Sequence, residues 1–294
     1  MNRKQILLSI LLILVALSWA GSFVVVKDTV DKVDAIDIGF LRFVVAAPIM
    51  FVVFLFTKNK KPIPKKEFPS LIILGLTGVT LLYIFQFVGI DLTTASTSSI
   101  LINTNVVFIA IISAVFLKEK FSKKKIFGVS LSFVGVSTIV FAQINNENIV
   151  FSDAFMLGCI FILLSAFFWA VYSIIGKRLL KTYGAIEVTT YAFILGIIFY
   201  IPVVISDIFE SVQKIPLNGW MSIFYLGVVC SVFGYVAWYY ALKNTEASKA
   251  AVYLTLIPMF TIILSFVFLN EIPAPFFLVG AILIMVGVYQ TQKS

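Results

Sequence analysis

The chain has 294 residues, 61% of them hydrophobic and only 12% charged, with a mean hydropathy of +1.08. A water-soluble domain is about 45 to 50% apolar and about 25% charged, so this composition excludes a soluble enzyme, a disordered chain and a secreted disulfide scaffold. The formal charge is +8 and there is no histidine, which removes histidine-ligated zinc or haem and any histidine base, and no cofactor is expected.

Hydropathy windows of about nineteen residues predict an all-α membrane protein with ten transmembrane helices. The first, 6–26, carries Trp19, roughly 10 Å below its outer end at 1.5 Å per residue. It is expected to be retained, since it is longer than a signal-peptide core. The second, 38–56, holds Arg42 and Pro48. Arg42 is the one strongly charged residue committed to a span interior, where it costs about 2.5 to 3.5 kcal/mol. Either it reaches outward to Asp37 or Asp34, or its fork receives a carboxylate or phosphate.

The third span, 71–90, contributes Tyr83 and Gln86, and the fourth, 97–117, places Asn103, Thr104 and Asn105 below Ser96, Thr97, Ser98 and Ser99. So much polarity must face protein or water, as interhelical hydrogen bonds or as a cavity wall. The fifth span is 126–142 and the sixth, 155–176, carries Trp169. Trp19 and Trp169 lie too deep for an interfacial belt, so they line a cavity or pack between helices. The seventh span, 188–205, has Pro202; the eighth, 221–242, has Tyr235 and Tyr239; the ninth, 250–269, has Tyr253 and Thr255; the tenth is 276–289. Trp220 and Trp238 fit the interfacial belt. Pro48 and Pro202 are hinges or simple kinks. Cys159 and Cys230 sit in apolar runs as core-filling thiols, with no disulfide expected.

Lysine and arginine alternate from one side to the other. Arg3, Lys4, Lys58, Lys60, Lys61, Lys65, Lys66, Lys118, Lys120, Lys123, Lys124, Lys125, Lys177, Arg178, Lys181, Lys243, Lys249 and Lys293 fall on one side, against Lys27, Lys32 and Lys214 on the other. Basic residues are retained in the cytoplasm, so both termini are expected there. The runs are topogenic and touch anionic lipid; nucleic acid is not an expected partner.

The chain repeats itself. Ala95-Ser96 through Phe116-Leu117-Lys118-Glu119 reappears as Ala247-Ser248 through Phe268-Leu269-Asn270-Glu271, a shift of 152 residues that also matches Gly75 with Gly227, Tyr83 with Tyr235, Gly128 with Gly280 and Gly135 with Gly287. Trp19-Ala20 and Lys27 answer Trp169-Ala170 and Lys177, and Pro48 answers Pro202, at slightly different shifts. The two repeats are 1–142 and 153–290. Each holds five spans, an odd number, so the second is inverted, the architecture of alternating access around a midplane site. The expected substrate-binding lining is Trp19, Arg42, Tyr83, Gln86, Asn103, Asn105, Trp169, Tyr235, Tyr239, Tyr253 and Thr255, suited to a small organic solute rather than a bare ion. No acid lies deep in a span and no GxxxxGK[ST] motif occurs, leaving secondary or facilitated movement. The glycines of spans five and ten let those helices approach.

Trp19-Ala20-Gly21-Ser22-Phe23 with Lys27, Leu41-Arg42-Phe43, the Ala-Ser entries to spans four and nine, Pro258, Glu119, Glu271 and the paired glycines resemble, over nearly the whole chain, the drug/metabolite transporter superfamily in its EamA-type ten-helix branch. That resemblance implies a basket of helices around a central cavity with spans five and ten apart from it, and export of amino acids or related metabolites across the plasma membrane. The chain departs by having Asn105-Val106 where the family often has proline, and Lys118 and Asn270 where a glycine often precedes the acid. The expectation is a non-enzymatic, multi-pass carrier, monomer or homodimer, in contact with membrane lipids. The alternatives are a flippase or accessory subunit for a lipid-linked sugar, and an intramembrane lipid-modifying enzyme.

Overall fold

A computed structural model of the chain describes residues 3–58, 60–61, 63–119, 122–146, 152–270, 272 and 276–292. Every regular element among the described residues is helical. Eight units are long and apolar enough to cross a bilayer: α1 (Arg3–Thr29), α2 (Ala35–Phe56), α3 (Lys65–Asp91), α4 (Ala95–Phe116), α6 (Asp153–Leu179), α7 (Ala185–Val204), α8 (Leu217–Asn244) and α9 (Ala247–Leu269). Two further helices, α5 (Lys123–Asn146) and α10 (Phe277–Gln292), pair with each other, and a short one, Ile208–Lys214, links α7 to α8. The apolar part of α10, Leu278–Thr291, is shorter. Lys120, Glu271 and Lys293, named above, lie outside the described residues.

Local chemistry sets the joints. Asp34 caps α2 by accepting from the Ile36 amide at 2.8 Å, Thr94 caps α4 through the Thr97 amide at 3.0 Å, and Ser152 caps α6 through the Phe155 amide at 3.1 Å, each satisfying a donor left open by the first helical turn. Four units are irregular in matched places. α3 and α8 each contain a π-helical stretch, Leu76–Thr80 and Tyr225–Phe233; α4 breaks at Ile102 and Asn103, while α9 tightens into a 3-10 turn over Val252–Thr255. Lys118 and Asn270, the positions where glycine was expected, both adopt left-handed backbone, with φ of 54° and 57°.

Helix pairing is unchanged when the halves are exchanged. α1 packs on α9 as α6 packs on α4, α3 on α7 as α8 on α2, and α3 on α6 as α8 on α1; α2 meets α7 and α5 meets α10. In the last pair a Cβ on Gly128 would lie 2.7 Å from the Gly287 carbonyl, one on Gly287 2.6 Å from that of Gly128, and one on Gly135 2.7 Å from that of Gly280. The backbones therefore touch through the glycine stripes.

The helix ends fall into two groups. At one end Gln5 and Ser9 of α1 share a small pocket with Thr245 at the close of α8 and Lys249 and Tyr253 of α9, Lys125 of α5 meets Glu246, and Thr291 of α10 sits by Gly128. At the other, Lys27 near the close of α1 donates to the Asp91 carbonyl at the close of α3, at 2.9 Å, and Gly158 near the start of α6 packs on Leu92 and Thr93. The equivalent helices α1 and α6 thus begin at opposite ends, and the described chain starts and finishes at the same one.

Candidate functional site

The breaks of α4 and α9 meet α1, α2, α3 and α6 at a central cavity of about 40 Å³. Its wall comprises Trp19, Ser22, Phe23, Arg42, Leu82, Tyr83, Gln86, Ile102, Asn105, Trp169, Leu254 and Ile257. A water needs roughly 10 to 15 Å³ of such volume, so a few waters fit and an organic metabolite does not. Loading requires the helices to part.

Arg42 is 1% exposed. It does not turn outward to Asp34 or Asp37: its Nε donates to Ser231 Oγ at 3.0 Å, and its Cζ lies 4.1 Å from the centre of the Tyr83 ring. Ser231 is held in place by the π-helical turn, donating to the Leu226 carbonyl at 2.9 Å. Among the described residues no acid pairs with Arg42, and one of its terminal nitrogens has no hydrogen-bond partner. Stacking on an aromatic face offsets part of the burial of this charge without neutralising it.

The aromatic wall straddles the axis that relates the halves. Trp19 and its repeat partner Trp169 meet edge to face with centroids 4.9 Å apart, and the hydroxyls of the paired Tyr83 and Tyr235 are 2.9 Å apart. Trp19 Nε1 donates to the Cys230 carbonyl at 2.9 Å, so the tryptophans both line the cavity and pack between helices. Tyr235 also donates to the Gly78 carbonyl at 2.7 Å, and the missing side chain of Gly78 makes room for the Tyr172 ring, whose Cδ2 would lie 2.0 Å from a Cβ there.

Of the expected lining, Trp19, Arg42, Tyr83, Gln86, Asn105 and Trp169 share the cavity wall. Tyr235 stands behind it against both tryptophans. Tyr239 stacks on Tyr172 at 4.9 Å, Asn103 donates to the Ser99 carbonyl at 2.8 Å, and Thr255 donates to the Val252 carbonyl; these serve helix packing and the breaks. Tyr253 lies toward the terminal end, donating to Ser9 Oγ at 2.6 Å. Trp238 is not interfacial: it is fully buried, tilted against both tryptophans, with Nε1 3.2 Å from Ser173 Oγ. Ser22 and Ser231 were missed. Ser22 lies one turn from Trp19, a readable signal, whereas Ser231 depends on the π-helical register.

Below Tyr253 an ion network closes the terminal end. Glu119, just past α4, accepts from the Ala247 amide at 2.7 Å, the Ser248 hydroxyl at 2.7 Å and the Ser248 amide at 3.3 Å. It also lies 3.5 Å from Lys177 and 4.0 Å from Lys125, and Lys125 pairs with Glu246 while Lys177 reaches the Thr245 carbonyl. Burial alone would raise the Glu119 pKa, but Ser248, Ala247 and the Lys177 charge outweigh it and hold the carboxyl below its ordinary value. On the far face of α1 a larger groove of about 760 Å³ runs among Leu14, Leu17, Val25, Val229, Phe233 and Phe268, with no lysine or arginine in its lining.

A twice-repeated helical frame, apolar outside and polar at its centre, defines a multi-pass membrane transporter. The chain belongs to the EamA-like transporter family, which matches it twice, at residues 7–141 and 156–291, within the drug/metabolite transporter superfamily. It is 39% identical to an uncharacterized transporter of Archaeoglobus fulgidus, over 100% of this chain and 99% of that one. It is 26% identical to a probable terminal-alkyne amino-acid exporter of Streptantibioticus cattleyicolor (94% and 90% covered) and to a probable amino-acid metabolite efflux pump of Salmonella typhimurium (98% and 95%). A crystal structure with 16% identity superposes with a TM-score of 0.78 over 97% of both chains, a likeness of fold.

Proposed function

We infer that this transporter is a ten-span carrier built from two inverted five-helix repeats, and that it exports a small organic metabolite such as an amino acid by alternating access. The observation that carries the reading is a small central cavity, walled by residues of both exchangeable halves and holding Arg42, Gln86 and Asn105. Exchange of halves makes two mirror-related openings equal in kind, and the cavity is what they would expose in turn. Counting α5 and α10 as spans is supported by their glycine contact and by the exposed apolar Ile126, Phe127, Leu278 and Ile282 on their outer faces. The basic loops lie with the termini, which supports reading that end as the cytoplasmic one, in a plasma membrane. Lipid is the surrounding partner and a monomer or homodimer the working unit. Secondary or facilitated movement needs no bound nucleotide.

The lateral groove on α1 is the one observation that favours a lipid-linked sugar flippase. It offers apolar length for an acyl chain but no cation for a phosphate headgroup, so the central cavity is preferred. Reconstituted protein should exchange radiolabelled amino acids by counterflow, measured with a panel that includes organic cations, with and without a pH gradient. Lipid scrambling without solute counterflow would reverse the choice.

A further inference from the structure

We propose, resting on the carrier reading above, that Arg42 and Asn105 form a paired subsite for the two charged groups of an α-amino acid, Arg42 taking the carboxylate and the Asn105 carbonyl oxygen taking the ammonium. Both side chains line the same cavity. Both are buried, at 1% and 3% exposure. Both are incomplete in a complementary sense: among the described residues one terminal nitrogen of Arg42 lacks an acceptor and Oδ1 of Asn105 lacks a donor. Buried polar groups are nearly always paired, and a guanidinium without an acid in a span interior is the costlier of the two omissions. A ligand bringing one anion and one cationic donor satisfies both.

The charge count selects the anion. Arg42 is the only lysine or arginine in the cavity wall, and its Nε is already committed to Ser231. A phosphate carries about −1.5 to −2 and would leave negative charge unmatched, whereas a carboxylate balances a single guanidinium. Among the described residues no carboxylate side chain lines the cavity to meet the ammonium, so it is held by the amide oxygen. A site of one fixed positive charge thereby takes a zwitterion and disfavours a plain amine. The remaining wall, Phe23, Leu82, Ile102, Leu254 and Ile257, is apolar and would face an uncharged side chain once the helices part.

The test uses the 294-residue protein in nanodiscs with Trp220 and Trp238 replaced by phenylalanine, so that tryptophan fluorescence reports Trp19 and Trp169, with leucine, phenylalanine and threonine as probes beside their amides, which lack the carboxylate, and their N-acetyl forms, which lack the ammonium. One charged hydrogen bond corresponds to roughly 10- to 100-fold in affinity, so each modified form should bind at least about tenfold more weakly. Arg42→Gln should erase the difference between acid and amide while keeping that between free amine and N-acetyl; Asn105→Leu should do the converse. Because the probe series on protein with Arg42 and Asn105 intact is informative by itself, a variant that fails to fold leaves the proposal testable. Equal binding of acid and amide, equal binding of amine and N-acetyl form, or no binding of any probe overturns the subsite. Discriminating binding without counterflow in liposomes supports the subsite and refutes the carrier reading; counterflow of the panel without discrimination does the reverse.

Discussion

Glu119→Ala is expected to loosen the terminal end of the bundle. The carboxylate accepts three hydrogen bonds from the start of α9 and faces two buried lysines, Lys125 at 2% exposure and Lys177 at 15%. Removing one partner of a buried ion pair costs about 3 to 5 kcal/mol. Lys125 keeps Glu246, so the lower bound, about 3 kcal/mol, is the working figure. If these contacts exist only in the closed form, the open form gains roughly a hundredfold in population. The assay places a single cysteine at Leu254, in the cavity wall, in protein from which Cys159 and Cys230 have been replaced, and measures labelling by an impermeant maleimide in inside-out vesicles. Labelling should accelerate by about ten- to a hundredfold. Acid should act in the same direction. Because folding holds the Glu119 pKa below its ordinary 4.5, the network is complete above that value and is lost as pH falls through the lowered one. Because the thiolate is the reacting form, the readout is the labelling rate of unaltered protein divided by that of the same cysteine in Glu119→Gln at each pH; this ratio should be flat and low near neutrality and rise towards one in acid. Equal labelling of Glu119→Ala and parent, both monodisperse with equal melting temperatures, would refute the assignment of this network as a closure.

Four further substitutions separate scaffold from site. Gly287→Leu forces α5 and α10 apart where a Cβ would lie 2.2 Å from Ser132 Oγ; overpacking costs about 1 to 3 kcal/mol, read as a lower melting temperature, with counterflow per folded molecule preserved because none of the described residues of either helix lines the cavity. Lys118→Gly relieves a left-handed residue with a full side chain and should stabilise by about 1 kcal/mol, whereas Asn270→Gly, replacing a residue that tolerates this conformation, should change the melting temperature little. Trp19→Phe keeps the ring but abandons the Cys230 carbonyl, a buried acceptor whose orphaning costs about 1 to 3 kcal/mol; unaltered denaturant stability would show that water replaces the indole there.

Much of the scaffold is legible because its causes are local or repeated. Apolar length marks the spans, the glycines seven apart mark the α5–α10 contact, and the order of basic loops marks the ends. The site is legible only where a residue is costly by itself: Arg42, the deep tryptophans, and the amides of α4 stand out because lipid would reject them. What escapes depends on register. The π-helical stretches of α3 and α8 carry no distinctive residues, yet they decide that Ser231 meets Arg42. Trp238, near a helix end in the sequence, is turned inward onto Trp19 and Trp169 where interfacial placement was expected. Tyr239, Tyr253 and Thr255 follow the repeat but take packing and closure contacts, since repeat symmetry relates backbone positions and leaves each side chain to find its own partner.

That distinction bears on how such a carrier can be both symmetric and selective. The pairs Trp19 with Trp169 and Tyr83 with Tyr235 meet across the axis, so either half can move against the other with similar packing. Arg42 has no such twin. At the shift that matches Pro48 with Pro202, Arg42 answers Gly196, so an uncharged residue occupies the matching place. A second guanidinium there would repel the first across a low-dielectric cavity and leave no room for a cationic group. The closures are likewise unequal: Lys125 and Glu246 reinforce Glu119 at the terminal end, while the residues matching them in the repeat, Phe277 and Thr94, carry no charge. In the alternating-access carrier proposed above, shared backbone symmetry would supply the two accessible forms, and these few departures from it would decide which solute is held and which form is favoured at rest.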